Sequence, residues 1–211
     1  MNTSEEVAKA LLDIKAVTLS PASPYTWASG IKSPIYCDNR ITISVPSVRK
    51  KIAHSLANLI KEKYPDVEVI AGTATAGIPH AAFVAQILDL PMIYIRSKAK
   101  EHGKTNQIEG RLEKGQKVVL IEDLISTGNS VIEAAKAAEK AGANVLGCVA
   151  IFTYEMSLGD KNFAASGFEL HCLSNYSTLL EVAQKEEYIS KPEFELLINW
   201  SKDPENWQSS I

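Results

Sequence analysis

Hydrophobic residues along the chain fall into short runs that stop abruptly at polar ones, and the sharpest of these breaks follows Ile121. Val118 to Ile121 is apolar and mostly β-branched, the pattern of a strand buried on both faces. Glu122 and Asp123 come directly after it, then Leu124 and Ile125, then only small residues: Ser126, Thr127, Gly128, Asn129 and Ser130. The Ala-rich stretch beyond predicts a helix up to Gly142, a residue suited to a helix C-terminus. The unit is therefore buried strand, acidic pair, small-residue turn, helix.

The same alternation recurs on either side. Val67 to Ala71 predicts a buried strand, Gly72 to Gly77 a turn, and AGIPHAAFVAQILDL a helix. Met92 to Ile95, residues 145–152 and a segment near 168–173 predict further strands. Strands alternating with helices over about 100 residues argue for an α/β fold with a doubly wound, mainly parallel sheet flanked by helices. A ligand then belongs beyond the carboxyl ends of the strands, at a topological switch point.

The flanks differ in character. Thr3-Ser4-Glu5-Glu6 has capping-box spacing and predicts a helix to about Lys15, with Val7, Leu11, Leu12 and Ile14 on its apolar side. Residues 17–43, with Pro21, Pro24 and Pro34, predict an irregular lobe with a small hairpin packed over the sheet. Ser44-Val45-Pro46 starts a second helix, running to about Tyr64. Residues 176–211 read as two helices in which Trp200 and Trp207 serve packing. The expected organisation is one domain over 1–211, with a small lobe at about 17–43, a core sheet at about 65–175 and C-terminal helices at 176–211.

Composition narrows the partners. The chain has 211 residues, 45% hydrophobic and 22% charged, with net charge −3. That balance gives no support to a nucleic-acid or membrane partner. No apolar run approaches the ~18 residues of a membrane span, and the acidic start MNTSEEVAKALL is unlike a signal peptide. Cys37, Cys148 and Cys172 form no C-x-x-C pair and read as reduced thiols of a cytoplasmic protein, with no zinc site.

The chemistry follows from the turn. Its backbone N–H groups and hydroxyls lie at the positive end of a helix, which suits a phosphate. Gly128 permits close backbone approach. Glu122 and Asp123 cannot serve that anion, but they suit sugar hydroxyls or positive charge developing on a ribose carbon. A phosphorylated sugar fits both halves. The plainer alternative is a Ser/Thr-rich helix cap behind a strand-end acid pair. Neither G-x-x-x-x-G-K-[ST] nor G-x-G-x-x-G is present. A second polar segment, Arg96 to Gly110, carries Arg96, Lys98, Lys100, His102 and Lys104; a basic loop of this length suits a lid closing over a diphosphate. Thr73–Gly77, Arg96–Gly110 and Glu122–Ser130 all fall at strand ends. His54 and His171 read as structural, and His80 lies near a helix start.

VVLIEDLISTGNS closely resembles the phosphoribosyl-diphosphate (PRPP) signature of the type I phosphoribosyltransferases. R-x-x-x-K-x-H-G resembles the catalytic loop of the orotate phosphoribosyltransferases, SGIKSPIYCDNR their hood lobe, and GTATAGIP their diphosphate-binding loop. The resemblance, over about residues 20 to 155, implies a type I phosphoribosyltransferase-like fold with an N-terminal hood. It implies transfer of ribose 5-phosphate from PRPP to orotate in pyrimidine synthesis, with inversion at C1. Lys100, His102, Glu122 and Asp123 would be catalytic. Arg96, Lys100, His102 and Glu122, Asp123, Leu124, Ile125, Ser126, Thr127, Gly128, Asn129 and Ser130 would bind PRPP, Ser126 also lying by the orotate. Mg²⁺ would be held mainly through PRPP and diphosphate, with no dedicated protein ligands. The resemblance further implies a homodimer with shared active sites and a non-proline cis peptide within 73–76, most naturally Ala74–Thr75. Three positions depart from the pattern: Ala28 and Ala76 stand where many members carry Lys, and Tyr154 where many carry an Arg for the orotate carboxylate. Lys32 and the backbone around Ser29-Gly30 are the candidate substitutes. The alternatives are a purine or xanthine phosphoribosyltransferase and a non-catalytic PRPP-sensing regulator.

Overall fold

The computed structural model of the chain describes residues 1–27, 30–97, 107–204 and 206–207. Helix α1, Thr3–Asp13, opens it, capped not at Thr3 but one residue earlier: Asn2 and Glu5 form the reciprocal capping box. It ends two residues short of the expected Lys15, which takes a left-handed φ of 57° and turns the chain.

Strands β1 (Val17–Leu19), β2 (Tyr25–Thr26), β3 (Lys32–Ser33) and β4 (Ile35–Cys37) follow, pairing as two small antiparallel sheets, β1 with β4 and β2 with β3. A 3₁₀ turn, Asn39–Ser44, leads into α2, Pro46–Lys63, with proline in its first turn as the sequence predicts. Beyond lie β5 (Val69–Thr73), α3 (Gly77–Leu88), β6 (Met92–Ile95), β7 (Ile108–Glu109), β8 (Lys117–Ile125), α4 (Asn129–Lys140), β9 (Asn144–Thr153), α5 (Ser157–Ser166) and β10 (Leu170–Asn175). Helices α6 (Tyr176–Lys185) and α7 (Lys191–Leu197) close the chain with a last 3₁₀ turn at Trp200–Lys202.

The main sheet has the order β10-β9-β8-β5-β6-β7. All its pairings are parallel except that of β7 with β6. Every residue of β5 is buried, as a strand covered on both faces must be. Alternate residues feed two cores. Ile70, Val119, Ile121 and Val149 pack with α1, α2, α3 and α6; Val69, Ala71, Leu120 and Ala150 pack with α4 and α5. From β5 the chain winds outward one way to β6 and, through β8, the other way to β9 and β10. The switch point is the crevice between β5 and β8.

Two differences from the sequence pattern matter. The two-residue β7 is too short to leave a periodic signal. Strand β8 does not stop at Ile121 but runs on through Glu122 to Ile125, because β9 keeps pairing with it after β5 has ended: Glu122 faces Ala150 and Leu124 faces Phe152. The acidic pair therefore sits within a strand, on the stretch of its β5-side edge that no neighbouring strand covers.

Candidate active site

That bare edge explains how the acids are held. On the β5 side the ladder ends at Gly72 opposite Ile121, so the Asp123 backbone has no strand to pair with. Side chains satisfy it instead. The Asp123 N–H donates to Glu122 Oε1 at 3.0 Å, and Asn39 Nδ2 donates to the Asp123 carbonyl at 2.7 Å. Ser130 Oγ donates to Glu122 Oε2 at 3.3 Å, tying the acid to the first turn of α4.

The turn that follows is built from behind by α5. Gly128 has φ 74°, and a Cβ there would meet the Phe163 ring at 2.4 Å. A Cβ on Gly159 would meet the Ser126 carbonyl oxygen at 2.7 Å. Asn162 Nδ2 donates to the Thr127 carbonyl at 2.8 Å and to Asn129 Oδ1 at 3.1 Å. The N-cap of α4, Gly128, makes no side-chain cap, which leaves the first amides of the helix for an anion. On the other wall, a Cβ on Gly77 would meet the Ile121 carbonyl oxygen at 2.4 Å, so the 74–76 loop lies close against β8. The Ala74–Thr75 peptide in that loop is cis, as expected.

These walls enclose a cavity of about 350 Å³ lined by Asp38, Arg40, Ala74–Ala76, Glu122, Asp123 and Ser126. A second, of about 240 Å³, shares Ala74 and Ser130 with it and adds Thr73, Arg96 and Gln107. A larger hollow of about 430 Å³ near Asn2, Ser55 and Glu62 lies at the amino end of α1, away from the strand ends, and has neither acid pair nor amide cradle.

Burial sets the electrostatics. Glu122 is held well above the ordinary carboxylate range, by desolvation first and the Asp123 charge second; Asp123 is raised too, by desolvation. A carboxyl whose pKa is higher folded than unfolded adds stability that is complete below its unfolded value, about 4.5, and is lost as pH climbs towards the folded one. Glu122→Gln removes that loss while keeping both hydrogen bonds. The ligand-free variant should melt above the wild type at pH 8, with the gap closing towards pH 5. Thermal melts at the two pH values check this; a gap independent of pH contradicts it.

A model of the phosphoribosyl transferase domain matches residues 44–176. The orotate phosphoribosyltransferase of Enterococcus faecalis is 66% identical over 97% of this chain and 97% of its own. The chain belongs to the orotate phosphoribosyltransferase family. Among solved structures, the orotate phosphoribosyltransferase of Aeropyrum pernix superposes with TM-score 0.76 at 27% identity, covering 87% of this chain and 99% of its own. A Leishmania donovani UMP synthase gives 0.77 at 29% identity over 94% of this chain; the chain spans 43% of that longer one.

Against the sites expected of an orotate phosphoribosyltransferase, Glu122, Asp123, Leu124, Ser126 and Ser130 line the first cavity and Asn129 the second, whereas Ile125 is buried in the core, Gly128 packs on Phe163 and Thr127 lines neither cavity. Arg96 sits at the end of β6 in the adjoining cavity, its Nη1 3.7 Å from Glu109 Oε1 and its carbonyl accepting from Gln107 Nε2 at 3.1 Å. Lys100 and His102, with Lys98 and Lys104, lie outside the described residues, as do Ala28 and Ser29. Tyr154 is 3% exposed and stacks among Trp27, Phe152 and Trp200, a packing residue. Lys32 is exposed, its Nζ donating to Thr26 Oγ1 at 2.7 Å. His54 is exposed and His171 lies 3.0 Å from Glu169. His80 is buried in α3, and burial lowers its pKa to about 4.

Asn39 and Asn162 carry no motif that would single them out. Asn39 lies inside the hood-like stretch SGIKSPIYCDNR, and that is its only signal in the sequence.

Proposed function

We infer that the chain catalyses orotate plus PRPP to orotidine 5′-monophosphate plus diphosphate, a step of pyrimidine nucleotide synthesis. The observation that carries this reading is the acid pair and the amide cradle of α4 opening onto one crevice at the sheet's switch point, in a chain of this family.

The 5′-phosphate lies on the turn from Ser126 to Ser130, held by its amides and hydroxyls. Glu122 and Asp123 accept from the ribose 2′- and 3′-hydroxyls and favour positive charge on the ring as the C1–oxygen bond to diphosphate lengthens. The orotate ring nitrogen forms the new bond from the opposite face as the C1–oxygen bond breaks and releases its proton to water, so C1 inverts. Arg96, Lys100 and His102 neutralise the departing diphosphate, His102 as a hydrogen-bond or proton donor. Ser126 lies beside the base.

Magnesium accompanies PRPP. Among the described residues no group of three or more His, Cys, Asp or Glu could hold a metal by itself. The cavity's carboxylates are Asp38, which is paired with Arg40, and Glu122 and Asp123, which suits an ion carried by PRPP oxygens and water. When bound it supplies charge neutralisation on the diphosphate. The three cysteines form no disulfide, which supports a cytoplasmic setting.

Loss of orotate absorbance with PRPP and magnesium, compared with adenine, xanthine and uracil, tests the reading. Orotate should be consumed about 10⁴-fold faster than the rest, the margin expected where a site's buried polar groups must be matched. Preference for a purine sinks it.

The active protein is a two-fold dimer in which Lys100 and His102 of one subunit close over the PRPP of the other. Lys100→Ala and Asp123→Asn, each nearly inactive alone, would then regain activity when mixed and exchanged. Half the dimers would carry one intact site, giving about a quarter of wild-type activity by symmetry. No recovery after verified subunit exchange places loop and turn in the same subunit.

A further inference from the structure

The cavity above the acid pair has a charge problem. Its described lining holds three carboxylates, Asp38, Glu122 and Asp123, and a single cation, Arg40. The loop opposite, Thr73–Ala76, contributes backbone and short neutral side chains only. A diphosphate brought between that loop and the acids meets repulsion from the acid side unless fixed positive charge accompanies it.

Arg40 is built to supply such charge. Its backbone opens the 3₁₀ turn Asn39–Ser44, where Asp38 Oδ1 accepts from its N–H at 3.2 Å. The turn is pinned to the acid pair by Asn39 Nδ2 on the Asp123 carbonyl at 2.7 Å, and Thr42 Oγ1 donates to the Asn39 carbonyl at 2.6 Å. The guanidinium is then steered by Asp38: Nε meets Oδ1 at 2.6 Å and Nη2 meets Oδ2 at 2.9 Å. That side-on pairing leaves Nη1 without a partner among the described residues and the side chain 65% exposed at the cavity. A guanidinium already oriented by a carboxylate loses little further freedom when an anion binds its remaining edge.

We propose that Arg40 is a substrate-binding residue that contacts the diphosphate group of PRPP through its Nη1 edge, in the cavity it shares with the Ala74–Ala76 loop. The proposal rests on the PRPP reading above and adds to it a cation from the segment before α2. Asp38 acts through Arg40 as a positioning residue and does not touch the ligand.

Calorimetric titration of PRPP, inorganic diphosphate and orotidine 5′-monophosphate, each with magnesium, into the full chain tests this. Arg40→Ala should weaken PRPP and diphosphate about tenfold or more, the size expected for a charge-assisted hydrogen bond. It should leave the monophosphate product, which has no diphosphate, within about twofold. Asp38→Asn keeps an acceptor for the turn and for Arg40 Nε but loses the Nη2 bond, so it should weaken diphosphate by a smaller factor, about two- to threefold.

Three results overturn the assignment: diphosphate affinity unchanged in Arg40→Ala; an equal loss for the monophosphate, which marks a role in folding the lobe; or an equal loss in Asp38→Asn, which makes the ion pair itself the requirement. Orotate turnover by the same wild-type preparation separates the two levels. Turnover intact with diphosphate binding indifferent to Arg40 counts against Arg40 alone. Arg40-dependent diphosphate binding without orotate turnover counts against the orotate reading and leaves Arg40 in place.

Discussion

Exchanging both acids for their amides, Glu122→Gln with Asp123→Asn, is expected to lower kcat about a thousandfold or more, some 4 kcal/mol of lost transition-state stabilisation. The amides keep the shapes of the carboxylates, and the backbone bonds that order this edge of β8 survive. Gln can still accept from the Asp123 N–H, and Asn39 bonds the main-chain carbonyl at residue 123, not its side chain. Only negative charge facing the ribose is removed. Two buried carboxyls, each raised by desolvation, store unfavourable energy in the empty protein, and a positively charged ring recovers it. The double variant should therefore bind PRPP comparably and melt no lower than the wild type. Turnover within tenfold of wild type would mean that the pair orders the strand without serving the reaction.

The second large effect is expected at Gly128. Alanine there meets two penalties at once: a left-handed φ of 74° and a Cβ placed 2.4 Å from the Phe163 ring. Left-handed backbone costs about 1–2 kcal/mol for a residue with a Cβ, and forcing extra volume into a packed contact costs a further 1–3 kcal/mol. Unless the Phe163 ring gives way, the turn must move its amides, which are the ones that hold the phosphate. Gly128→Ala should raise the KM for PRPP about a hundredfold, equivalent to ~2.7 kcal/mol. Affinity for orotidine 5′-monophosphate should fall in parallel, because that ligand carries the same 5′-phosphate. Steady-state kinetics and a product titration measure both; a KM within threefold of wild type would show that the turn tolerates the shift.

Much of this site is legible in the chain because its core is local. Strand, acids, turn and helix follow one another within Lys117–Lys140, and each step has a residue-level cause: β-branched burial, paired carboxylates, a glycine at positive φ, an Ala-rich helix. The switch point is legible too, since alternating strands and helices confine the ligand to the strand ends. What the pattern does not carry is contact across distance. Asn39 meets Asp123 from 84 positions away and Asn162 meets Thr127 from 35. Neither residue type marks its partner. The true length of β8 depends on β9 outlasting β5, which hydrophobicity along β8 alone cannot express: Glu122 and Asp123 look like the end of a strand because they are polar. Tyr154 is the converse case. Read by position it stands where a ligand-binding cation is common, whereas its ring closes a cluster with Trp27 and Trp200 whose members are scattered over the sequence.

Transfer of a phosphoribosyl group from diphosphate to orotate in the crevice between β5 and β8 fixes where the ribose of PRPP must go. It is tested most directly by following PRPP labelled in its ribose in the presence of orotate and magnesium. The label should appear in orotidine 5′-monophosphate, with one diphosphate released for each nucleotide formed and no label leaving PRPP when orotate is omitted. Label collecting as free ribose 5-phosphate, or diphosphate released without nucleotide, would rule out that transfer.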